Sequence, residues 1–173
     1  MPVVDSSPLI YLGKIGKLNL LIELFGELVI PPSVYNEVVV QGEQKGFEDA
    51  KEVKKEINNF LIQMPEQKTV KDIRDRLPSG LRLGSGEMEC IALCVEREKL
   101  MLSDDEDAKK FARVYGVKGK GTLYILLRSY KQGFLSKSEC IESFEAIVDA
   151  GFWIDARTTS LFYRHVEKIA RGL

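Results

Sequence analysis

The chain holds one histidine and one tryptophan in 173 residues, three cysteines, and no apolar run approaching the roughly 20 residues that cross a bilayer as a helix. Each scarcity excludes something. A lone histidine with Cys90, Cys94 and a remote Cys140 makes a poor zinc set, because structural zinc takes four Cys or His ligands. Cys90 and Cys94 are spaced to share a helix face as a soft-metal pair, but small core residues are the favoured reading. An odd cysteine number and a start, Met1-Pro2-Val3-Val4-Asp5, without a basic secretory segment point to reduced thiols in a cytoplasmic protein with no membrane association. Neither charge sign dominates: 25 Lys and Arg stand against 26 Asp and Glu. A nucleic-acid binder of this composition must gather its positive charge on one face.

What is present is ordinary for a globular chain: 45% hydrophobic and 29% charged residues. The length predicts a single domain over 1–173, with a core from about 3 to 154 and a terminal helix at about 157–171. Val3-Val4, Leu28-Val29-Ile30 and Leu100 to Ser103 read as short buried strands, and Phe152-Trp153-Ile154 as a last one. Helices are predicted after Ser6, from Leu18 to Phe25, from Ser33 to about Val40 and over 46–62, the last with Phe47, Ala50, Val53, Ile57, Phe60 and Leu61 on one side. Met64 to Leu83, with Pro65, Pro78 and Gly80, reads as a loop or lid with one weak strand or helical turn. Glu87 to about Glu98 forms a strong helix, Asp105 to Tyr115 another. Thr122 to Gln132, 136–149 (capped by Ser136 with Glu139) and Arg157 to Arg171 complete the set. Alternating strands and helices imply an α/β fold with a mostly parallel central sheet flanked by helices.

Several carboxylates sit against the grain of this pattern. Asp5 ends the apolar run Val3-Val4 and is followed by Ser6-Ser7-Pro8. An acid at a strand's carboxyl end is badly placed for a core and well placed for a ligand. Glu37 shares a helical face with Val34, Val38 and Gln41, unless the helix is rotated and leaves it solvated. Glu87 shares a face with Cys90, Ile91 and Cys94. It also stands in a first turn, where an acid complements the helix dipole for a few tenths to about 1 kcal/mol. Asp104-Asp105-Glu106-Asp107 follow the third strand; a helix cap uses one of them, and a nearby cation would explain the rest. The calcium-loop spacing fails, because Lys110 stands where glycine is needed. A D-x-D nucleophile motif fails at Ser7. Oxygen ligands without histidine suit Mg²⁺ or Mn²⁺, which activate water at a phosphodiester.

The order of these motifs resembles the PIN-domain family: an Asp closing the first strand, Pro31-Pro32-Ser33-Val34-Tyr35-Asn36-Glu37-Val38, Gly84-Ser85-Gly86-Glu87 before Ile91-Ala92-Leu93, Leu102-Ser103-Asp104-Asp105, and Gly119-Lys120-Gly121-Thr122. It is most similar to a prokaryotic branch with Gly-Glu and Asp-Asp signatures, related to type II toxin–antitoxin toxins. The resemblance implies a Rossmann-like three-layer fold and a Mg²⁺- or Mn²⁺-dependent single-strand RNA endonuclease, with RNA as substrate and a small antitoxin protein as partner. Carried over residue by residue, it implies Asp5, Glu37, Glu87 and Asp105 as the catalytic set. Metal would be held by Asp5, Glu87, Asp105 and Asp107, with Asp104 the alternative to Asp105. Ser103 stands where the family has Ser or Thr.

The expected RNA rim is Lys109, Lys110, Arg113, Lys120 and Thr122. Gly119-Lys120-Gly121-Thr122 lacks Walker A spacing, though a helix N-terminus there would accept one phosphate. Thr122 as an ordinary cap is an equal reading. Trp153 reads as a core residue rather than a base-stacking platform, and His165 as a packed or interface residue. The terminal helix packs on the sheet or pairs with a second subunit as a homodimer. Two other function classes compete: a PIN-like module that docks nucleic acid or protein with little or no nuclease activity, and a small-molecule phosphatase, disfavoured by Ser7.

Overall fold

The computed structural model describes residues 1–56, 59–97 and 100–172. In chain order the elements are β1 (Val3–Val4), α1 (Ser6–Lys14), α2 (Asn19–Phe25), β2 (Leu28–Ile30), α3 (Pro32–Tyr35), a π-helical turn (Asn36–Gln41), α4 (Gly42–Gln44), α5 (Glu48–Glu56) and β3 (Phe60–Ile62). They continue as α6 (Gln67–Asp75), α7 (Ser85–Glu96), β4 (Leu100–Leu102), α8 (Glu106–Val114), β5 (Lys118–Lys120), α9 (Thr122–Lys131), α10 (Lys137–Asp149) and α11 (Ala156–Ala170).

The five strands form one parallel sheet in the order β3-β2-β1-β4-β5. Val3 and Val4 pair with Met101 and Leu102, and Asp5 extends the ladder by donating its N–H to the Leu102 carbonyl at 2.9 Å. The strands are short and wholly apolar at the centre because both faces are covered; Val4, Leu28, Ile30, Met101 and Leu102 are fully buried. The helices fall into two contact groups. One joins α1, α2, α5, α9, α10 and α11; the other joins α6, α7 and α8, with α7 lying on β1 and β4. This is the α/β architecture with a parallel sheet that the alternation predicts, in the Rossmann-like form that the resemblance implies.

The chain winds from β1 through β2 to β3, then crosses back to place β4 on the other side of β1. The order of connection therefore reverses between β1 and β4. A crevice opens at the carboxyl ends of strands at such a reversal, because the loops leave in opposite directions. Asp5 closes β1 and Ser103 closes β4, so both chain segments that carry unexpected acids meet there.

Four expectations are corrected. The helix placed over 46–62 ends at Glu56, and Phe60 to Ile62 pair with β2 as an edge strand. Ile57, assigned to that helix, and Glu98, assigned to the end of α7, lie outside the described residues. The stretch read as a loop holds the nine-residue helix α6, whose Val70 and Ile73 reach the core. Lys118–Lys120 form strand β5, in a segment where no strand was placed, because Gly119 leaves room for the Lys109 stem. Phe152 to Ile154 are not a strand. They run as an extended link between α10 and α11, tied by the Phe152 N–H to the Ile147 carbonyl at 2.9 Å. In α11 the buried face is Phe162 and Val166, while His165 points to solvent beside the Leu161 carbonyl.

Candidate functional site

Asp5 caps α1: its Oδ1 accepts the Ser6 N–H at 2.8 Å. Its Oδ2 accepts the Ser103 hydroxyl at 2.7 Å. Only 5% of the residue is exposed. Burial disfavours the charged form and pushes the Asp5 carboxyl up from 3.8 to about 6, against the two hydrogen bonds; the Glu87 and Glu37 charges push the same way as burial.

Glu37 enters from the π-helical turn. Helices widened in this way recur at functional sites, where they re-aim side chains. Here Val34, Val38 and Val39 stay buried while Glu37 turns outward, and its Oε2 accepts the Ser6 hydroxyl at 2.7 Å. Glu87 stands in the first turn of α7, its carboxylate folded back over Gly84. A Cβ built on Gly84 would sit 2.5 Å from Glu87 Oε2. Gly86 forms the floor between two acids: a Cβ there would lie 3.7 Å from Asp5 Oδ1 and 3.8 Å from Glu37 Oε2.

The two aspartates after β4 divide their tasks. Asp105 caps α8, with Oδ1 accepting the Ala108 N–H at 2.6 Å, and its own N–H donates to the Ser103 hydroxyl at 3.2 Å. Asp104 accepts both the Thr122 N–H at 2.7 Å and the Thr122 hydroxyl at 2.6 Å, while its backbone N–H donates to Ser7 at 3.0 Å. Burial raises the Asp104 carboxyl above its usual range although Thr122 opposes the shift. Gly121 is required at this point, since a Cβ would come 2.5 Å from Asp104 Oδ1.

Asp5, Glu37, Glu87, Asp104 and Asp105 line one cavity of about 450 Å³, with Ser6, Ser7, Ile10, Tyr11, Phe152 and Trp153. The arrangement therefore gathers the four acids of the expected catalytic set. It leaves Asp107 outside: that residue faces solvent on α8, with Lys110 Nζ 3.5 Å away. Among the expected RNA contacts, Thr122 is buried, with its N–H and hydroxyl both given to Asp104. Lys109 pairs with Glu106 at 2.7 Å and packs its stem on Gly119. Lys110, Arg113 and Lys120 are exposed, and Lys120 stands over the Tyr124 ring at 5.0 Å.

The sequence reading gave no site role to Ser6, Ser7 or Gly86 and placed Trp153 in the core. Trp153 is 84% exposed and borders the acidic cavity. On α7, Glu89 accepts the Ser33 N–H and hydroxyl, and Glu96 accepts the Glu66 N–H. Small hydroxyl residues beside a strand-end acid were the available signal for Ser6, Ser7 and Ser103. Nothing in the linear pattern marks Trp153.

The donor set fits a hard divalent cation, because the cavity offers five carboxylates and no imidazole or thiolate. Burial raises the Asp5 carboxyl, with the Glu87 and Glu37 charges adding to it, and a cation would offset both. Among the described residues, no three His, Cys, Asp or Glu side chains already converge as an ion's ligand set. Protein hydrogen bonds hold them apart: Ser6 takes a Glu37 oxygen, Ala108 takes an Asp105 oxygen, and Thr122 takes both of Asp104's.

A Rossmann-like sheet with acids gathered at its switch point defines a nuclease-type class of fold. A family model described as DUF3368, a PIN domain, matches residues 1–168, and the chain belongs to the PIN-domain family, whose members are usually nucleases that use divalent metals. No curated protein and no solved structure matched the chain. Among the described residues, no helix is long and apolar enough to cross a membrane.

Proposed function

We propose that the protein is a metal-dependent endonuclease that hydrolyses single-stranded RNA. The observation that carries this reading is the shared cavity: Asp5, Glu37, Glu87 and Asp105 arrive from four separate segments and face one space at the sheet reversal. Asp5 is buried beside the Glu37 and Glu87 charges, and a buried carboxylate is costly unless something positive meets it.

Asp5, Glu87 and Asp105 are the residues that would hold Mg²⁺ or Mn²⁺. A bound divalent cation supplies Lewis acidity and lowers the pKa of a coordinated water towards neutrality. The chain's own residues do the positioning. Ser103 and the Ser6 N–H fix both oxygens of Asp5, so the carboxylate is oriented before any ligand arrives. Ser6 restrains Glu37 through Oε2 alone, leaving Oε1 to orient a water or accept its proton. Asp105 keeps Oδ2 for the cavity while Oδ1 serves the helix cap. Lys110, Arg113 and Lys120 supply exposed positive charge for the phosphate backbone.

The test is cleavage of a labelled single-stranded RNA with Mn²⁺, with and without chelator, beside an Asp5→Asn variant. Metal-dependent cleavage that the variant lacks is expected. Chelator-insensitive cleavage, or an equally active variant, sinks the reading. The related toxins extend the proposal to a toxin role. A small protein encoded beside this one should then block cleavage and form a stable complex with it.

A second reading is a PIN-like module that docks nucleic acid or protein with little or no nuclease activity. One observation favours it: the acids are restrained by protein hydrogen bonds rather than converged on a point. Binding without cleavage across Mg²⁺ and Mn²⁺ concentrations would select it.

A further inference from the structure

Trp153 is the chain's sole tryptophan, and its exposure of 84% is the largest among the exposed large hydrophobic residues. An indole in water is unusual enough to need a reason when its backbone is well anchored. Anchoring is the case here. The preceding Phe152 packs edge-on against Tyr11, with ring centroids 4.9 Å apart at 86°, and the Tyr11 hydroxyl donates to the Gly151 carbonyl at 3.3 Å. Two residues later Asp155 caps α11 by accepting the Thr158 N–H at 2.7 Å. The chain on either side of the indole is therefore held in place, and stacking on the ring costs little backbone ordering.

Its location supplies the second observation. Trp153, Phe152 and Asp104 are walls common to the acidic cavity and to a neighbouring cavity of about 310 Å³. The neighbour is completed by Tyr124, Ile154, Lys109 and the three acids Glu106, Asp104 and Asp155. Those acids are already engaged. Glu106 pairs with Lys109, Asp104 takes both Thr122 donors, and Asp155 takes the Thr158 N–H and hydroxyl. The lining therefore combines the aromatic surface of Phe152, Trp153 and Tyr124 with these hydrogen-bonded acids and Lys109, and the Lys120 ammonium stands over Tyr124 beside it. Aromatic faces next to a cation suit a base and its phosphate, and stacking accepts any base because every base has a π face. A single ring and its immediate neighbours are too small for a stable protein interface, which needs roughly 800 Å² on each partner.

The geometry points to Trp153 as the stacking platform of a subsite that holds an unpaired nucleobase beside the carboxylate cavity. The inference deepens the nuclease reading and takes from it that the ligand is nucleic acid. It assigns a strand bound at the acids a fixed place for one neighbouring base, and it requires that base to be unstacked. Duplexes, whose bases are stacked on one another, should be excluded.

The experiment uses the intrinsic fluorescence of Trp153, with chelator present so that no cleavage occurs. Single-stranded oligoadenylate, as RNA and as DNA in separate arms, is titrated into the full chain, with a matched duplex as control. Saturable quenching by the single strands but not the duplex is expected. The RNA and DNA arms show which backbone is preferred. By fluorescence anisotropy of a labelled oligonucleotide, Trp153→Ala should bind on the order of 10-fold more weakly, and Trp153→Phe should recover most of the affinity. Circular dichroism checks that both variants fold. Anisotropy that reports binding without quenching overturns the subsite, as does equal affinity in the alanine variant or equal quenching by the duplex. A fluorescence change that depends on protein concentration without nucleic acid would assign the surface to a second copy and also overturn it. Quenching by a protein that never cleaves RNA with Mn²⁺ keeps the subsite and sinks the nuclease reading. Cleavage with silent fluorescence does the reverse.

Discussion

The Ser103 hydroxyl donates a 2.7 Å hydrogen bond to Asp5 Oδ2 and so ties the end of β4 to the end of β1. It is foremost among the contacts that hold the Asp5 carboxyl down against burial. Replacing it, as Ser103→Ala, removes a hydrogen bond to a charged group. Above pH 6 the variant should lose about 1–2 kcal/mol of stability, and below pH 4 much less, because the protonated acid needs the contact less. Urea denaturation at both pH values checks this. The acidic limb of any metal-dependent cleavage should also move to higher pH.

Asp5→Asn should behave in the opposite sense. The folded carboxyl lies at about 6 against 3.8 for the free group. The fold therefore favours the protonated acid. That contribution is complete below pH 3.8, is lost as pH rises to about 6, and stays lost above it. A shift of this size corresponds to at most about 3 kcal/mol. The neutral asparagine variant should accordingly be about 1–3 kcal/mol more stable than the parent at pH 7.5 and no more stable at pH 3.5. Adding Mn²⁺ should raise the melting temperature of the parent and leave the variant unmoved.

Buried Thr122 gives its N–H and hydroxyl to the half-buried Asp104 carboxylate, which assigns the pair an architectural role to be tested. Thr122→Val keeps the shape but deprives one Asp104 oxygen of its hydroxyl donor. An unsatisfied buried acceptor costs about 1–3 kcal/mol. Thr122→Ser should restore most of that loss, whereas a direct RNA contact would leave stability unchanged in either variant. Thermal melts of the three proteins decide it.

Asp105 and Asp107 give a contrast within one helix turn. Asp105→Asn should cut Mn²⁺-dependent cleavage by on the order of 100-fold or more, the scale expected when a group at the reacting centre is lost. Asp107→Asn, on the solvent face beside Lys110, should stay within about 2-fold. Initial rates on one RNA substrate, with melting temperatures as a control, separate the two.

Much of the fold was legible because its cause is local. Runs such as Val3-Val4 and Leu28-Val29-Ile30 are apolar without alternation, which marks strands buried on both faces. Lys118-Gly119-Lys120 carries no such mark. It is a strand because its backbone completes the β4 ladder and its glycine admits the Lys109 stem. Phe60 and Leu61 fit a helical stripe as well as a strand; pairing with Leu28 and Val29 chose the strand. Phe152 to Ile154 read as a strand from composition alone, but contacts with Tyr11 of α1 and Ile147 of α10 hold them as an extended link.

The acids followed the same division. Their types and order are properties of the chain, and the resemblance of that order to PIN domains singled out Asp5, Glu37, Glu87 and Asp105 as one set. Which of four consecutive acidic residues faces the cavity is not a property of the order. Asp107 was turned away by the phase of α8, and Asp104 was taken by Thr122 across the β4–β5 gap. The sequence by itself determined the alternation of elements and the oxygen-only chemistry of the acids, because hydrophobic period and residue type act locally. Tertiary structure decided which acids share a cavity and why Trp153 stands in solvent, because both depend on contacts between segments far apart in the chain.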